Sequence, residues 1–403
     1  MKRHAAMLVR AFLILLVAIN IIPQLHAVAQ HGTVTINGQV TYQPRNWNPQ
    51  LNNWAIGKEI QIDLYEKDLQ GNDHYLATTY TTLGGYFSFP ARENWWYPDN
   101  RQLNVFFKVI TSHLDTAVTD RLFSNYAFAS PTNFLSHDGV WTLNFPITTG
   151  YVGHQAIWIF EDLRNAWNFV ANFGALHPGA VTAVWEASLN CYPIQLPDWL
   201  NVPCGSFAYG GIITHFIFIA HSSVISTDTV VHETGHMYVI NSNSWWYTGC
   251  LIHNMFTSSN LNCAWSEGWA NYFPLAVNGN QCYDFTENPC SGTANQDYYD
   301  LEAHSRADNP GLFAWGDQVE GRVAGSLYDF YDYNSEGFDR IFAGFYPIAQ
   351  IALGSTQVTT TPNFWNRWKT GSGQDEFLSS LALWWNTISY VNIRLVFLPT
   401  VIK

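Results

Sequence analysis

Hydrophobic and polar positions alternate with a period of two in several stretches of the N-terminal third of the chain. The clearest stretches are residues 34–42, 60–65 and 103–109. Successive side chains of a β-strand point to opposite faces, so this period predicts strands that bury one face. Several such short strands at regular intervals predict a small antiparallel β-sandwich.

Residues 78–89 read as two strands joined by a turn at Gly84 and Gly85. A threonine-rich strand, a glycine turn and an aromatic strand resemble the transthyretin-like domains attached to secreted peptidases and surface proteins. The resemblance predicts such a domain at residues 30–147. Its aromatic residues Trp95, Trp96 and Tyr97 leave two interpretations open, contact with a surface or polymer and packing within the domain.

From about residue 150 the apolar positions recur at helical spacing. Residues 157–170 predict a helix, and residues 181–185 and 211–220 predict strands that precede a second helix. The predicted fold class is therefore α+β, a β-sandwich followed by a mixed sheet with helices, with the second domain at residues 148–388. The apolar end, residues 389–403, is either a packed strand or a tail for surface sorting.

The second helix carries the pattern His-Glu-x-x-His in residues 226–236, STDTVVHETGH. Polar residues suited to an N-cap precede it. His232 and His236 lie one turn apart on the same face, close enough to bind one zinc ion, while Glu233 lies beside them as a candidate general base. Gly235 predicts that another backbone passes close to the helix. The alternative is a buried helix with incidental histidines.

Glu267, in the segment AWSEGWANYF of residues 264–273, is the candidate third ligand. Two histidines and one carboxylate leave the fourth zinc position open, which is the catalytic arrangement. Asn271, one helical turn after Glu267, is expected to accept a hydrogen bond from a ligating imidazole.

The two motifs together resemble the gluzincins, the thermolysin-type clan of metallopeptidases, and most closely their secreted fungalysin-like branch. The resemblance runs from about residue 227 to residue 331. It implies a zincin-type domain that holds one catalytic Zn²⁺ on His232, His236 and Glu267. It also implies hydrolysis of a peptide bond by a zinc-bound water, with Glu233 as the base.

Two features of this family remain open in the sequence. These families usually carry an Asp where this chain has Asn271, and an amide does not supply the charge that raises the basicity of a ligand. The donor to the oxyanion in these families is commonly a His or Tyr. His304, Tyr328 and Tyr331 are candidates, and the sequence does not choose among them.

Other metal sites fit the sequence less well. A metzincin needs Gly and His where this chain has Val239 and Ser242. His253, His304 and Asp297 are rival third ligands that lack a matching motif.

The N-terminal residues predict that the protein is exported from the cell. Lys2, Arg3 and Arg10, the apolar residues 11–18 and a small-x-small site ending at Ala29 predict a signal peptide at residues 1–29, with an uncleaved membrane anchor as the alternative. The formal charge of −13, without a basic run, argues against nucleic acid as a partner.

Six cysteines fall into three sequence-adjacent pairs and predict local disulfides, with a cysteine metal site as the weaker alternative. The pairs are Cys191 with Cys204, Cys250 with Cys263, and Cys282 with Cys290.

The sequence therefore predicts a secreted zinc peptidase that acts on protein or peptide substrates and has no membrane contact after signal cleavage. Contact with a cell surface or polymer through the β-domain is left open. The rival hypothesis is a non-catalytic secreted binding or adhesion protein that uses the same fold as a scaffold.

Overall fold

The computed structural model describes residues 31–174, 176–192, 204–210, 215–243, 250, 253–285, 298–304, 313–334 and 339–391. The predicted signal peptide and the tail beyond Val391 lie outside these residues. No helix in the described ranges is long and apolar enough to cross a membrane.

The N-terminal region consists of short strands. They are β1 (Thr33–Tyr42), β2 (Ala55–Ile56), β3 (Gln61–Lys67), β4 (Asp73–Tyr80), β5 (Tyr86–Ser88), β6 (Arg92–Glu93), β7 (Asn104–Ile110), β8 (Ser112–His113), β9 (Thr116–Thr119), β10 (Ala127–Ala129), β11 (Asn133–Phe134), β12 (Gly139–Thr142) and β13 (Phe145–Ile147).

Two sheets pack face to face in this region. In one, β3 pairs with β4 and β7, and β7 pairs with β10 and β11, all antiparallel. In the other, β1 pairs antiparallel with β2, β5 and β6 but parallel with β12 and β13. The ring of Phe107 on β7 lies 5.2 Å from that of Phe87 and 5.5 Å from that of Phe145, centroid to centroid, so the apolar core lies between the sheets.

The strands on either side of Gly84 and Gly85 belong to different sheets. The two predicted strands are observed as β4 and β5, of which β4 pairs with β3 and β5 pairs with β1. Gly85 has a φ of +74° and donates its N–H to the carbonyl of Thr82. The glycine turn therefore carries the chain from one sheet to the other. The side chain of Phe87, which follows the turn, lies in the apolar core between the two sheets.

The second region contains the helices. They are α1 (Gln155–Ala171), α2 (Thr227–Asn243), α3 (Leu261–Asn278), α4 (Leu301–His304), α5 (Glu320–Tyr331), α6 (Phe345–Ala352), α7 (Thr361–Gly371) and α8 (Glu376–Trp385). The strands are β14 (Val181–Trp185), β15 (Phe207–Gly210), β16 (His215–Ile219), β17 (Cys282–Asp284) and β18 (Tyr298–Asp300). The α+β class, with largely antiparallel N-terminal sheets before a mixed sheet and helices, is confirmed.

The mixed sheet has the order β15-β16-β14-β9-β8. β14 is parallel to both β16 and β9, and β15 is antiparallel to β16. Strands β8 and β9 come from within the predicted N-terminal domain, so the sheet crosses the predicted boundary between residues 147 and 148. That boundary stays a prediction.

Two of the predicted disulfides are present, Cys191–Cys204 and Cys250–Cys263. Cys290, the predicted partner of Cys282, lies outside the described residues. Among the aromatic residues considered for surface contact, Tyr97 is exposed, Trp95 stacks on His31 and Trp96 packs against the core. A binding role for them stays a prediction.

Helix α1 is joined to the N-terminal sheets by buried polar contacts. Glu161 accepts a hydrogen bond of 2.7 Å from the backbone N–H of Lys58, and Asp162 forms an ion pair with Arg45. Arg164, 2% exposed, pairs with Glu59 at 2.8 Å. Burial raises the pKa of Glu161 to about 8, and the backbone N–H and charge of Lys58 oppose this rise only in part.

Replacement of Glu161 by glutamine is expected to make the protein less sensitive to alkaline pH. The neutral form of Glu161 is favoured in the folded state, so its contribution to stability is complete below the unfolded pKa of about 4.5 and is lost as pH rises to about 8. In urea unfolding at pH 5 and pH 9, E161Q should lose less stability between the two values than the wild type, by an amount on the order of a few kcal/mol. The exposed control E376Q should behave as the wild type, and an equal loss in E161Q would contradict the prediction.

Candidate metal centre

Helix α2 begins where the sequence predicts. The side chain of Ser226 accepts a hydrogen bond of 3.0 Å from the N–H of Thr229, which caps the first turn. Asp228 is fixed by the amide of Asn278 and by the backbone N–H of Asp284, both at 2.7 Å. These contacts fix the start of α2 against the end of α3 and against β17. They therefore fix the position of the helical turns that follow.

His232 and His236 lie on the same face of α2, with ring centroids 4.8 Å apart. Glu267 on α3 reaches both of them. Its Oε2 lies 3.3 Å from Nε2 of His232 and 3.1 Å from Nε2 of His236. The ligand atoms of the three residues all lie within 4.8 Å of one another. The structure thus brings together three residues that are separated by up to 35 positions in the sequence.

The cluster is buried, and burial sets its electrostatics. His232, Glu233 and Glu267 are each 6–8% exposed. Burial raises the pKa of Glu267, but the positive charge and hydrogen bonds of the two histidines lower it well below its usual value overall. Burial lowers the pKa of His232. The cluster therefore holds an ionised carboxylate beside an imidazole that favours its neutral form.

Glu233 lies next to these residues with a different environment. Burial raises its pKa to about 7, and the nearby charge of His236 opposes this rise. The backbone N–H of Ala208 on β15 donates to its carboxylate. A carboxyl group with a pKa near neutrality is suited to exchanging a proton during a reaction.

Close packing between helices positions Glu267. A Cβ on Gly235 would lie 3.1 Å from the ring of Phe273, and the indole N–H of Trp269 donates to the carbonyl of Gly235 at 3.1 Å. The nearest atoms to Gly235 belong to the side chain of Phe273, whose Cβ would lie 3.2 Å from the added Cβ, so α3 packs closely against this glycine. A Cβ on Gly268 would lie 2.6 Å from the side chain of Val323 on α5.

Replacement of Gly268 by alanine is expected to reduce the free energy of unfolding by about 1–3 kcal/mol. The added Cβ would also lie 3.1 Å from the carbonyl oxygen of Glu320, so α3 and α5 must separate. Urea unfolding measures the effect. G371A is the matched control, because no atom lies within 4 Å of its added Cβ, and it should be as stable as the wild type or slightly more stable. Equal stability of G268A and G371A would contradict this account of the helix contact.

The side chain of Asn271 contacts a different partner from the one expected. Its amide nitrogen lies 3.5 Å from Oε2 of Glu320, and no hydrogen bond joins it to His232 or His236. Nδ1 of His232 is buried and has no hydrogen-bond partner among the residues that the structure describes. The expectation fails because Glu320, at the start of α5, packs against α3, and its carboxylate contacts the amide of Asn271 instead.

Glu320 also binds His253, a residue that the sequence suggested only as a rival third ligand. Nδ1 of His253 lies 2.9 Å from Oε1 of Glu320, and its Nε2 lies 3.8 Å from Oε2 of Glu267. Burial lowers the pKa of His253, but its hydrogen bond to Glu320 and the charges of Glu267 and Glu320 raise it to about 9. The sequence could not have revealed this contact, because no motif surrounds His253 and the contact joins residues that are 67 positions apart.

The two tyrosines considered as oxyanion donors lie away from the cluster. The hydroxyl of Tyr331 donates to the backbone carbonyl of Ala276 at 3.1 Å. Tyr328 is eight residues beyond Glu320 on α5, a rise of about 12 Å along a helix. The side chain of His304 and all of Asp297 lie outside the described part of the chain.

Solved structures that resemble this chain include a 9R-lipoxygenase from Cyanothece PCC8801 (11% identity, 54% of this chain and 25% of that chain, TM-score 0.20). They also include an (S)-allantoin synthase (7%, 30% and 41%, TM-score 0.19) and the major plantain pollen allergen Pla l 1 (14%, 29% and 92%, TM-score 0.19). At these scores the likenesses carry no argument about fold or function. Comparison with curated proteins finds no matching relative.

A family profile, by contrast, covers just over half of the chain. The profile is described as the mycolysin C-terminal domain, and it matches residues 182–387. The matched span includes His232, Glu233, His236 and Glu267. The chain therefore belongs to the mycolysin C-terminal domain family.

Proposed function

We propose that this protein is a secreted zinc-dependent peptidase of the gluzincin type, with His232, His236 and Glu267 as metal ligands and Glu233 as general base. The observation that carries the proposal is the convergence of two imidazole nitrogens and one carboxylate oxygen beside a second buried carboxyl group. Membership of the mycolysin C-terminal domain family supports a thermolysin-related peptidase.

The three residues supply the donor atoms that zinc prefers, and the two distances from Glu267 match the spacing that zinc requires. Donor atoms that lie 2.0–2.1 Å from a tetrahedral zinc ion are about 3.3–3.4 Å from one another. The distances of 3.1 and 3.3 Å from Glu267 to the two histidines are close to that value. When bound, zinc would act as a Lewis acid that polarises a carbonyl group and lowers the pKa of water.

Glu233 supplies the proton transfer in this proposal. As the water oxygen attacks the carbonyl carbon, a C–O bond forms, the π electrons move to the carbonyl oxygen, and Glu233 accepts the proton of the water. The C–N bond then breaks, and Glu233 returns the proton to the leaving amine. Water and a peptide give an acid and an amine, and no other reactant is required.

A peptide is the favoured substrate because of the strand that lies beside Glu233. β15 is the edge strand of the described part of the mixed sheet, and it contacts Glu233 through the N–H of Ala208. An extended peptide can pair with such an edge by main-chain hydrogen bonds. A chain bound in this way would pass close to the proposed base.

Mass spectrometry of a digested peptide library tests the proposed reaction. The secreted protein should cleave internal or terminal peptide bonds, and the H236A variant should leave the library intact. Zinc binding without cleavage by the wild type would instead support the non-catalytic binding protein.

A further inference from the structure

Arg45, in a turn after β1, reaches from the N-terminal sheets to the start of the helix that carries the two proposed histidine ligands. Its Nε donates to the carbonyl of Val224 at 2.8 Å, and its Nη1 donates to the hydroxyl of Thr227 at 3.0 Å. Val224 lies in the turn before α2, and Thr227 is the first residue of α2. One guanidinium group therefore contacts both the approach to this helix and its first turn.

The guanidinium group of Arg45 is itself held by α1. Asp162 accepts hydrogen bonds from both Nη1, at 3.2 Å, and Nη2, and the planar shape of the two groups fixes the direction of this contact. The side chains of Arg45 and Asp162 are only 12% and 6% exposed. The ring centroid of Trp158 on α1 lies 5.6 Å from Cζ of Arg45, and its indole N–H donates to the carbonyl of Gln43 at 2.7 Å. The segment that carries Arg45 is thus fixed against α1 at two points.

The start of α2 is held from two directions. Asp228 is bound to the end of α3 and to β17, whereas Thr227 is bound through Arg45 to α1 and the N-terminal sheets. His232 and Glu233 follow Thr227 by five and six positions, a rise of about 7.5 and 9 Å along one continuous helix. A shift of the first turn therefore moves a proposed ligand and the proposed base relative to the carboxylate ligand on α3.

We infer that Arg45 is a positioning residue for the reaction: by fixing the first turn of α2 through Thr227, it keeps the ligands and the base of that helix in register with Glu267 on α3. This inference rests on the proposed peptidase function. Displacement by about 1 Å of groups that act on a substrate can lower a rate on the order of 10²-fold. The N-terminal sheets thereby take part in forming the site, although the proposed ligands and base all lie in the second region.

Three variants and a matched control test the role of Arg45. R45A removes the guanidinium group, R45K keeps a positive charge near Asp162 without the planar fork, and T227V removes the hydroxyl that accepts from Arg45. The control R101A breaks another buried ion pair of the N-terminal sheets, in which Nη2 of Arg101 lies 2.6 Å from the fully buried carboxylate of Glu66. All are assayed well below their Tm and with saturating zinc, so that loss of folding or of metal does not lower the measured rate.

The rate per folded, zinc-loaded molecule separates positioning from stability. We expect kcat to fall about 10–10²-fold in R45A with KM nearly unchanged, and to fall by smaller factors in R45K and T227V. Because Arg45 acts through Thr227, the double variant R45A/T227V should lose hardly more than R45A alone. R101A should have the wild-type kcat even where its Tm is lower.

Two measurements on the metal site do not depend on turnover. The Kd for zinc, measured against a competing chelator, should rise about tenfold in R45A and stay unchanged in R101A. After Co²⁺ replaces zinc, the visible spectrum of R45A should differ from that of the wild type, because the angles between the ligands change. If R45A does not fold, R45K and T227V decide the question by the same measurements.

An unchanged kcat, zinc Kd and Co²⁺ spectrum in folded R45A would overturn the inference and make the ion pair purely structural. Equal losses in R101A and R45A would also overturn it, because the effect would then follow from lower stability. Absence of cleavage by the wild type would refute the proposed function itself. The zinc Kd and the Co²⁺ spectrum would then still show whether Arg45 orients the metal site.

Discussion

Replacement of Glu233 by glutamine is expected to lower the rate of peptide hydrolysis about 10²–10⁴-fold while the protein keeps its zinc. Glutamine has nearly the same shape, so the buried site next to Ala208 should stay packed. Its amide, however, cannot accept the proton of the attacking water. The measurement is kcat/KM on a quenched peptide, with the zinc content determined on the same sample.

The control for E233Q is E376Q, which changes an exposed glutamate at the start of α8 in the same way. It should cleave the peptide at the wild-type rate. Undiminished hydrolysis by E233Q would remove Glu233 from the reaction. Loss of zinc together with activity would show that the substitution had disturbed the ligands.

Zinc is expected to raise the Tm of the wild-type protein but not that of E267Q. A ligand that binds only the folded state stabilises it by about 4 kcal/mol when its concentration is a thousand times Kd. Glu267 contributes the carboxylate of the proposed site, and a neutral amide is a much weaker ligand for zinc. Thermal unfolding of the chelated protein with and without added zinc measures the difference.

E376Q again serves as the matched control, and its Tm should respond to zinc as the wild type does. A zinc-dependent shift in E267Q equal to that of the wild type would exclude Glu267 as a ligand. In that case His253, whose Nε2 lies 3.8 Å from Glu267, would be the next residue to test.

The helices and the core of the candidate site could be predicted from the sequence because they depend on local patterns. The helix over residues 157–170 is observed as Gln155–Ala171, and Gly174 follows it with a φ of +64°. The four-residue spacing of His232 and His236 fixes their common face once α2 forms. The capping side chain of Ser226 is likewise a local signal.

Strand pairing was less predictable, because alternation shows that a strand exists but not its partner. The parallel pairing of β1 with β12 and β13 brings together the two ends of the N-terminal region. The pairing of β9 with β14 joins the two predicted domains in one sheet. Both contacts depend on how the whole chain packs.

The surroundings of the proposed metal ligands could not be predicted from the sequence either. Helical spacing predicted that Asn271 would face the histidines, but Glu320 at the start of α5 binds its amide. That contact exists because Gly268 allows α5 to approach α3 closely. The position of His253 follows from the same helix contact, since Glu320 holds both residues.

The central claim is that His232, His236 and Glu267 hold one catalytic zinc ion. The most direct test is metal analysis of the purified secreted protein, combined with peptide cleavage before chelation, after chelation and after zinc is restored. We predict one zinc per chain, with cleavage that is lost on chelation and recovered with zinc. Absence of zinc, or cleavage that persists in the metal-free protein, would contradict the account.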